Sequence, residues 1–139
     1  MNKHYLYVHA IWSVAGNEAV LTRPVRVVMF AHLQKNAEEK GIKVLDVNGY
    51  ADHVHVLIQL HPTQNLAQVI RQIKTETAEW LNATQLLSAE FSWEDEYLAY
   101  SVSPSAVKQV SDYLARQEEY HKTKSLEAEL EVFDVKSSK

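Results

Sequence analysis

The chain has 139 residues, of which 46% are hydrophobic and 23% charged, as expected for one ordinary globular domain that spans residues 1–139. It contains no cysteine, so disulfides, cysteine-ligated zinc and thiol nucleophiles are excluded, and its net charge of −4 offers no overall attraction to nucleic acid. No apolar stretch is long enough to cross a bilayer, and the N-terminus lacks the layout of a signal peptide. We therefore expect a cytoplasmic protein without a membrane partner.

The first half of the chain predicts a strand, a helix and two further strands. β-Branched and aromatic residues from Tyr5 to Val14 are typical of a strand. The capping signal Thr22-Arg23-Pro24 begins a helix, which Gly41 ends. Two strands then follow around a short turn, Lys43 to Tyr50 and His53 to Leu60. The residues of the helix that follow with roughly helical spacing are Val27, Val28, Ala31, Leu33, Gln34 and Ala37.

The second half predicts a helix, a strand and two more helices. Apolar residues at helical spacing outline a second amphipathic helix between Leu66 and Leu81. A fourth strand is expected at Tyr97 to Val102, and Ser103-Pro104 begins a third helix that is expected to run to about Tyr120. A fourth short helix is expected from Leu126 to Phe133, before a polar tail at 136–139. The order β-α-β-β-α-β followed by helices predicts a ferredoxin-like α+β fold, in which an antiparallel four-stranded sheet has two helices on one face.

The third predicted strand contains two histidines at a spacing that can bind a metal. Alternate residues of a strand share a face, so His53 and His55 project together while Val54 and Val56 point into the helix-covered core. Two imidazoles at this spacing can share one ion. The alternative is a pair of strand histidines without a ligand, and two histidines alone do not complete a metal site.

A tyrosine and a glutamine lie four residues apart on the third predicted helix. Tyr113 and Gln117 therefore share a helical face. Gln117 offers a carbonyl oxygen, which suits Mg²⁺ or Mn²⁺ beside imidazoles, and Tyr113 would present its phenol beside that ion. Taken alone, such a pair is more typical of surface packing. It is the combination with the two histidines that favours a site of metal-assisted chemistry.

Several segments recur in the order and at the length of one known family. They are His53-Val54-His55, the run Tyr113 to His121, Phe91 to Tyr97 followed by Ser101-Val102-Ser103, and the helix that carries Ile70, Lys74 and Thr75. Through them the chain resembles, from about Tyr5 to Glu129, the single-tyrosine HUH transposases of bacterial insertion sequences and the related REP-associated tyrosine transposases. The resemblance implies that Tyr113 is the nucleophile and that the ligands of a divalent ion, Mg²⁺ or Mn²⁺, are His53, His55 and Gln117.

The resemblance also implies a reaction, a substrate and an assembly. Tyr113 would attack phosphorus in single-stranded DNA with small hairpins at element ends, form a 5′-phosphotyrosine and release a 3′-hydroxyl. Because that linkage conserves the bond energy, rejoining needs no ATP, and the chain has no Gly-x-x-x-x-Gly-Lys phosphate loop. The family forms homodimers with shared active sites. The alternatives are a non-catalytic or domesticated single-strand-binding protein of this fold and, less favoured, a small-ligand regulatory domain.

The distribution of charge is more informative than the total. Eight of the eighteen acidic residues lie in two segments without Lys or Arg, Glu90 to Glu96 and Glu127 to Asp134. In the rest of the chain fourteen basic residues stand against ten acidic ones, so we expect the site to lie in a part of net charge +4, apart from both segments. Candidates for phosphate contacts, each of which could instead be a solvated charge, are Arg71, Lys74, Arg116 and Lys122.

Two further residues have weaker signals. Asp52 directly precedes the first histidine and could accept a hydrogen bond from an imidazole, or it could simply be a turn residue. His121 lies one turn beyond Gln117 and could be a spare ligand, although a cation at a helix end is the favoured interpretation. No partner is visible in the sequence for four other histidines, to which we assign structural roles: His4, His9, His32 and His61.

Overall fold

The computed structural model describes residues 1–137, with side chains described as far as residue 132. Its four strands, β1 (Leu6–Ser13), β2 (Lys43–Tyr50), β3 (His53–Leu60) and β4 (Leu98–Val102), form one antiparallel sheet in the order β2-β3-β1-β4. The ferredoxin-like α+β arrangement predicted from the sequence is confirmed. β2 and β3 also have the predicted bounds.

Within residues 1–137, five α-helices accompany the sheet. They are α1 (Arg23–Glu39), α2 (Leu66–Thr84), α3 (Val107–Ala115), α4 (Gln117–Tyr120) and α5 (Leu126–Ser137). The main core lies between α1, α2 and one face of the sheet, where the apolar residues of β3 alternate inward. It includes the buried side chains of Trp12, Met29, Leu33, Val54, Val56, Ile58, Ile70 and Ile73. Within the described part of the chain, no helix combines the length and the apolarity that crossing a bilayer would require.

The predicted apolar face of α1 is partly wrong. Val27 and Val28 are 57% and 48% exposed, whereas Met29 is fully buried. The inward position one turn earlier belongs to Arg26, whose guanidinium donates to the Leu21 carbonyl at 3.1 Å. A charged side chain can occupy this position because its polar head finds a buried acceptor while its stem covers apolar surface.

The predicted third helix is interrupted, and the predicted fourth is longer than expected. After a 3₁₀ turn at Pro104–Ala106, α3 ends at Ala115, and α4 begins at Gln117. The residue between them, Arg116, has a φ of −103° and a ψ of 13°, outside regular helix geometry, and its N–H bonds three residues back. The next residue is Gln117, and the buried hydrogen bonds of its side chain offset this irregularity. α5 continues to residue 137, so only 138 and 139 of the expected polar tail lie outside the described residues.

Candidate metal and nucleophile site

The second face of the sheet carries His53 and His55, which are both fully buried. They alternate along β3 with Val54 and Val56, which belong to the core on the other face. α3 and α4 lie against β2 and cover this second face. The strand therefore places two imidazoles under the C-terminal helices, on the face that its alternation predicts.

The interruption between α3 and α4 accompanies an inward glutamine close to the tyrosine. Gln117 is fully buried, and its Oε1 lies 3.0 Å from His53 Nε2. The Tyr113 ring lies edge-on to the His55 ring, with 6.0 Å between their centroids. Asn48 of β2 anchors α3, because its Nδ2 donates to the Leu114 carbonyl at 2.7 Å. The structure thus brings the predicted nucleophile and the three predicted ligands together within one chain.

A carboxylate that the sequence patterns did not predict lies at the centre of this cluster. Glu129 of α5 is 1% exposed, and its Oε1 lies 3.1 Å from both His55 Nε2 and His121 Nε2 and 3.4 Å from His53 Nε2. Its Oε2 accepts hydrogen bonds from Gln117 Nε2, at 2.7 Å, and from the Tyr113 hydroxyl. The expectation that both acidic segments lie apart from the site is therefore wrong for this residue.

The sequence does hold one signal for Glu129. It lies three residues after Leu126 and one before Leu130, so the three side chains share a face of α5. An acidic residue between two leucines on the apolar face of a helix requires a buried partner, since an unpaired buried charge is costly. A net charge summed over the whole segment does not show that one of its acidic residues points inward.

The two outer candidates also join the cluster. Asp52 Oδ1 lies 2.8 Å from His53 Nδ1, so the carboxylate can accept that N–H and leave Nε2 facing Gln117. His121 does lie at the end of α4, but its ring is 2% exposed and its Nε2 lies 3.1 Å from Gln117 Oε1. The ring also stacks on Tyr50, with centroids 5.4 Å apart. These contacts make His121 a member of the cluster, and its position at the end of a helix does not describe it fully.

Burial and mutual contacts shift the pKa values of these groups in opposite directions. Burial lowers the pKa of His55 to about 4, which keeps its ring neutral. Burial acts the same way on His53, but its bonds with Asp52 and Glu129 outweigh it and raise the pKa to about 9. Burial raises the pKa of Tyr113 above its usual range, and the adjacent Glu129 carboxylate adds to this. The Tyr113 phenol is therefore protonated near pH 7.

The donor set fits a divalent cation. One ligand atom from each of four residues, His53, His55, His121 and Glu129, lies within 4.8 Å of the others. Two ligands on opposite sides of an ion such as Mg²⁺ lie about 4 Å apart, so small side-chain adjustments would let these atoms share one ion. Imidazole nitrogens together with carboxylate and amide oxygens are donors that Mn²⁺ and its neighbours accept. These residues could hold a metal.

The candidate phosphate-binding residues do not form one group. Arg71 and Lys74 line a separate cavity of about 370 Å³ together with Trp93. There the Lys74 amine donates to the carbonyls of Glu94 and Asp95, at 2.6 and 3.2 Å, so the acidic loop lies directly against it. The other two candidates are exposed and flank α4, next to the cluster in the chain: Arg116 and Lys122.

Comparison with known proteins identifies the family. Residues 2–117 match the family described as IS200-like transposases. This chain is a member of the IS200-like transposase family. The family places it among enzymes that act on DNA in transposition. The match ends at Gln117, so His121 and Glu129 lie beyond the matched segment.

Individual relatives agree with this membership. The chain is 24% identical over 119 residues to the ISDra2 transposase TnpA of Deinococcus radiodurans, a match that covers 82% of this chain and 85% of that protein. A crystal structure assigned as a transposase from D. radiodurans R1 has a TM-score of 0.67 at 20% identity, over 84% of this IS200-like chain and 93% of the other. A REP-associated tyrosine transposase, solved bound to a REP hairpin, has a TM-score of 0.62 at 13% identity, over 87% of this chain and 73% of the other. These two structures show a shared fold.

Proposed function

We propose that this IS200-like transposase cleaves and rejoins single-stranded DNA at insertion-sequence ends through a covalent bond between Tyr113 and a 5′-phosphate. The observation that carries the proposal is the double contact of Glu129. One of its oxygens lies against three imidazole nitrogens, and the other accepts the Tyr113 hydroxyl. A potential nucleophile and a potential metal site therefore adjoin in one pocket.

The proposed metal ligands are His53, His55 and Gln117, joined by His121 and Glu129. A bound divalent ion would polarise the oxygens of the scissile phosphate and help to orient it. The nitrogen-rich donor set favours Mn²⁺ over Mg²⁺, because imidazole suits transition metals better than it suits Mg²⁺. ATP has no proposed role, in keeping with the missing phosphate loop.

The proposed role of Tyr113 follows from its position. Glu129 Oε2 accepts the phenol hydrogen bond and so orients the phenol oxygen beside the cluster. In the cleavage step a bond forms between the Tyr113 oxygen and phosphorus, while the bond from phosphorus to the 3′-oxygen breaks. The phenol loses its proton, and the departing 3′-oxygen gains one. Attack by that 3′-hydroxyl on the phosphotyrosine reverses these changes and rejoins the strand.

We also propose that the substrate carries a hairpin, in line with the REP hairpin in the structure of the REP-associated relative. Arg116 and Lys122 are the best placed of the four candidates to contact its phosphates, since both are exposed and flank α4. We expect Arg116→Ala and Lys122→Ala each to make the negative slope of log affinity against log salt shallower by about 0.7 to 0.9, the contribution of one phosphate contact on a single strand or on a duplex stem. Fluorescence anisotropy with a labelled hairpin oligonucleotide over a range of salt measures this slope. Lys43→Ala, at the start of β2, is the control and should leave the slope unchanged. Equal slopes for the parent and all three variants would contradict the assignment.

A homodimer is the proposed assembly. β4 lies at the edge of the sheet, and its residue Leu98 is 37% exposed. An edge strand with an exposed apolar side chain is suited to pairing with a second copy. Because Tyr113 and its candidate metal ligands lie in the same chain, each protomer could also act with its own tyrosine. Sedimentation velocity over about a hundredfold range of concentration should show a dimer, and a monomer at every concentration would contradict this part of the proposal.

A strand-cleavage assay tests the proposed function. The protein is mixed with single-stranded oligonucleotides, labelled at the 3′ end, that cover the genomic flanks of its gene, together with Mn²⁺ or with EDTA. We expect a labelled adduct that survives denaturing electrophoresis and appears only with the metal. Binding of the oligonucleotides without any adduct would instead favour the non-catalytic single-strand-binding alternative.

A further inference from the structure

A buried histidine outside the proposed ligand set contacts one of its members. His9 of β1 is 3% exposed, and its Nε2 lies 2.8 Å from His55 Nδ1. The two rings are nearly parallel, with centroids 5.0 Å apart and 28° between their planes. β1 pairs with β3 so that Ile11 faces His55 and His9 faces Leu57, which places His9 diagonally beside His55 on the same face of the sheet.

The chemistry of imidazole gives this contact a consequence. A histidine binds a metal through a nitrogen without a proton, so a ligand that uses Nε2 must carry its proton on Nδ1. The Nε2 atom of His55 faces the cluster, where it lies 3.1 Å from Glu129 Oε1. Its Nδ1 atom faces His9. A partner that accepts a hydrogen bond from Nδ1 therefore supports the form of His55 that binds a metal through Nε2.

A second imidazole is suited to this role because it can act either as the acceptor or as the donor of the hydrogen bond. His9 Nε2 accepts the hydrogen bond when His55 Nδ1 carries the proton, and it donates when that proton is on Nε2. A neutral imidazole can do either by a change of tautomer, whereas an apolar side chain would leave Nδ1 buried without this partner. The hydrogen bond can thus be kept in both protonation arrangements of His55.

We propose that His9 is a positioning residue: when a metal binds at His55 Nε2, His9 Nε2 accepts the hydrogen bond from His55 Nδ1 and so stabilises the ring with its proton on Nδ1. The inference rests on the proposed function and deepens it, because it assigns a role to a residue outside the predicted ligand set. In this proposal His9 acts on the site through His55. The same hydrogen bond also fixes the orientation of the His55 ring.

Metal binding measured without DNA tests this role apart from catalysis. Mn²⁺ is titrated into the purified full chain, and the free ion is followed by electron paramagnetic resonance. We expect His9→Leu to weaken Mn²⁺ binding about 10- to 100-fold, the usual effect of losing such a partner. His9→Gln, whose amide can either accept or donate, should stay within about fivefold of the parent. Ile11→Val perturbs packing on the same strand and face, and it should bind like the parent.

Nitrogen NMR of the parent protein gives a readout that does not depend on any variant. With Zn²⁺ as a diamagnetic probe, we expect the His55 signals to show a proton on Nδ1 and the metal on Nε2. A proton on Nε2 in the Zn²⁺ form would overturn the proposal, as would unchanged Mn²⁺ binding in folded His9→Leu, or equal losses in the Leu and Gln variants. A parent that binds neither ion contradicts the metal site itself, whereas a parent that binds while His9→Leu is unaffected contradicts only the role of His9.

Discussion

Replacing Tyr113 by phenylalanine is expected to abolish the covalent DNA adduct, with a loss of strand cleavage of at least about 10³-fold, as for other enzymes that lose their nucleophile. The change removes one oxygen, and Glu129 Oε2 keeps its hydrogen bond from Gln117. The variant should therefore fold and bind Mn²⁺ and the hairpin oligonucleotide much as the parent does. Denaturing electrophoresis of the 3′-labelled strand after a timed reaction measures the loss.

Tyr120 provides the matched control. Its ring centroid lies 6.1 Å from that of Tyr113, so a second phenol is present beside the same cluster. Its hydroxyl has no hydrogen bond to the cluster among the described residues, and Tyr120→Phe should retain parental cleavage within a few fold. If Tyr113→Phe formed the adduct at the parental rate, or if only Tyr120→Phe lost it, the assignment of the nucleophile would be wrong.

Replacing His55 by alanine is the second large effect that we expect. The side chain is fully buried, and its Nε2 points at Glu129 Oε1. Its loss removes one of the proposed donors and leaves the carboxylate with fewer partners, so Mn²⁺ binding should weaken by about 100-fold or more and metal-dependent cleavage should fall with it. The parent should bind Mn²⁺ more tightly than Mg²⁺ in the same titration, since its donors are rich in nitrogen.

Leu57→Val is the control for this effect. Leu57 is two residues further along β3, on the same face and equally buried, but it supplies no donor atom. The variant should lose some stability to heat while its Mn²⁺ affinity stays near that of the parent. Parental Mn²⁺ affinity in His55→Ala would contradict the proposed site, and an equal loss in Leu57→Val would assign the effect to packing.

The sequence is most informative where one local pattern determines the structure. β2 and β3 were predicted residue for residue because strand alternation and the turn around Ala51-Asp52 agree. The orientation of the two histidines follows from the same alternation. The α1 face was harder to predict, because an inward arginine depends on the Leu21 carbonyl, a partner in the preceding loop.

Contacts between distant segments could not be predicted from the sequence. Glu129 lies 74 positions from His55, and His9 lies 46 positions from it, so neither contact has a spacing that a local period can reveal. The interruption at Arg116 also depends on contacts between distant segments. It accompanies the inward side chain of Gln117, whose hydrogen bonds reach β3 and α5. Each of these features depends on how the C-terminal helices pack on the second face of the sheet.

The most direct test of the central claim is to locate the bond between protein and DNA. The adduct formed in the cleavage assay is isolated under denaturing conditions, digested with protease and nuclease, and sequenced by tandem mass spectrometry. The proposal predicts a nucleotide phosphate on the peptide that contains Tyr113, attached to that side chain. Attachment to Tyr120 or to any other residue would contradict it.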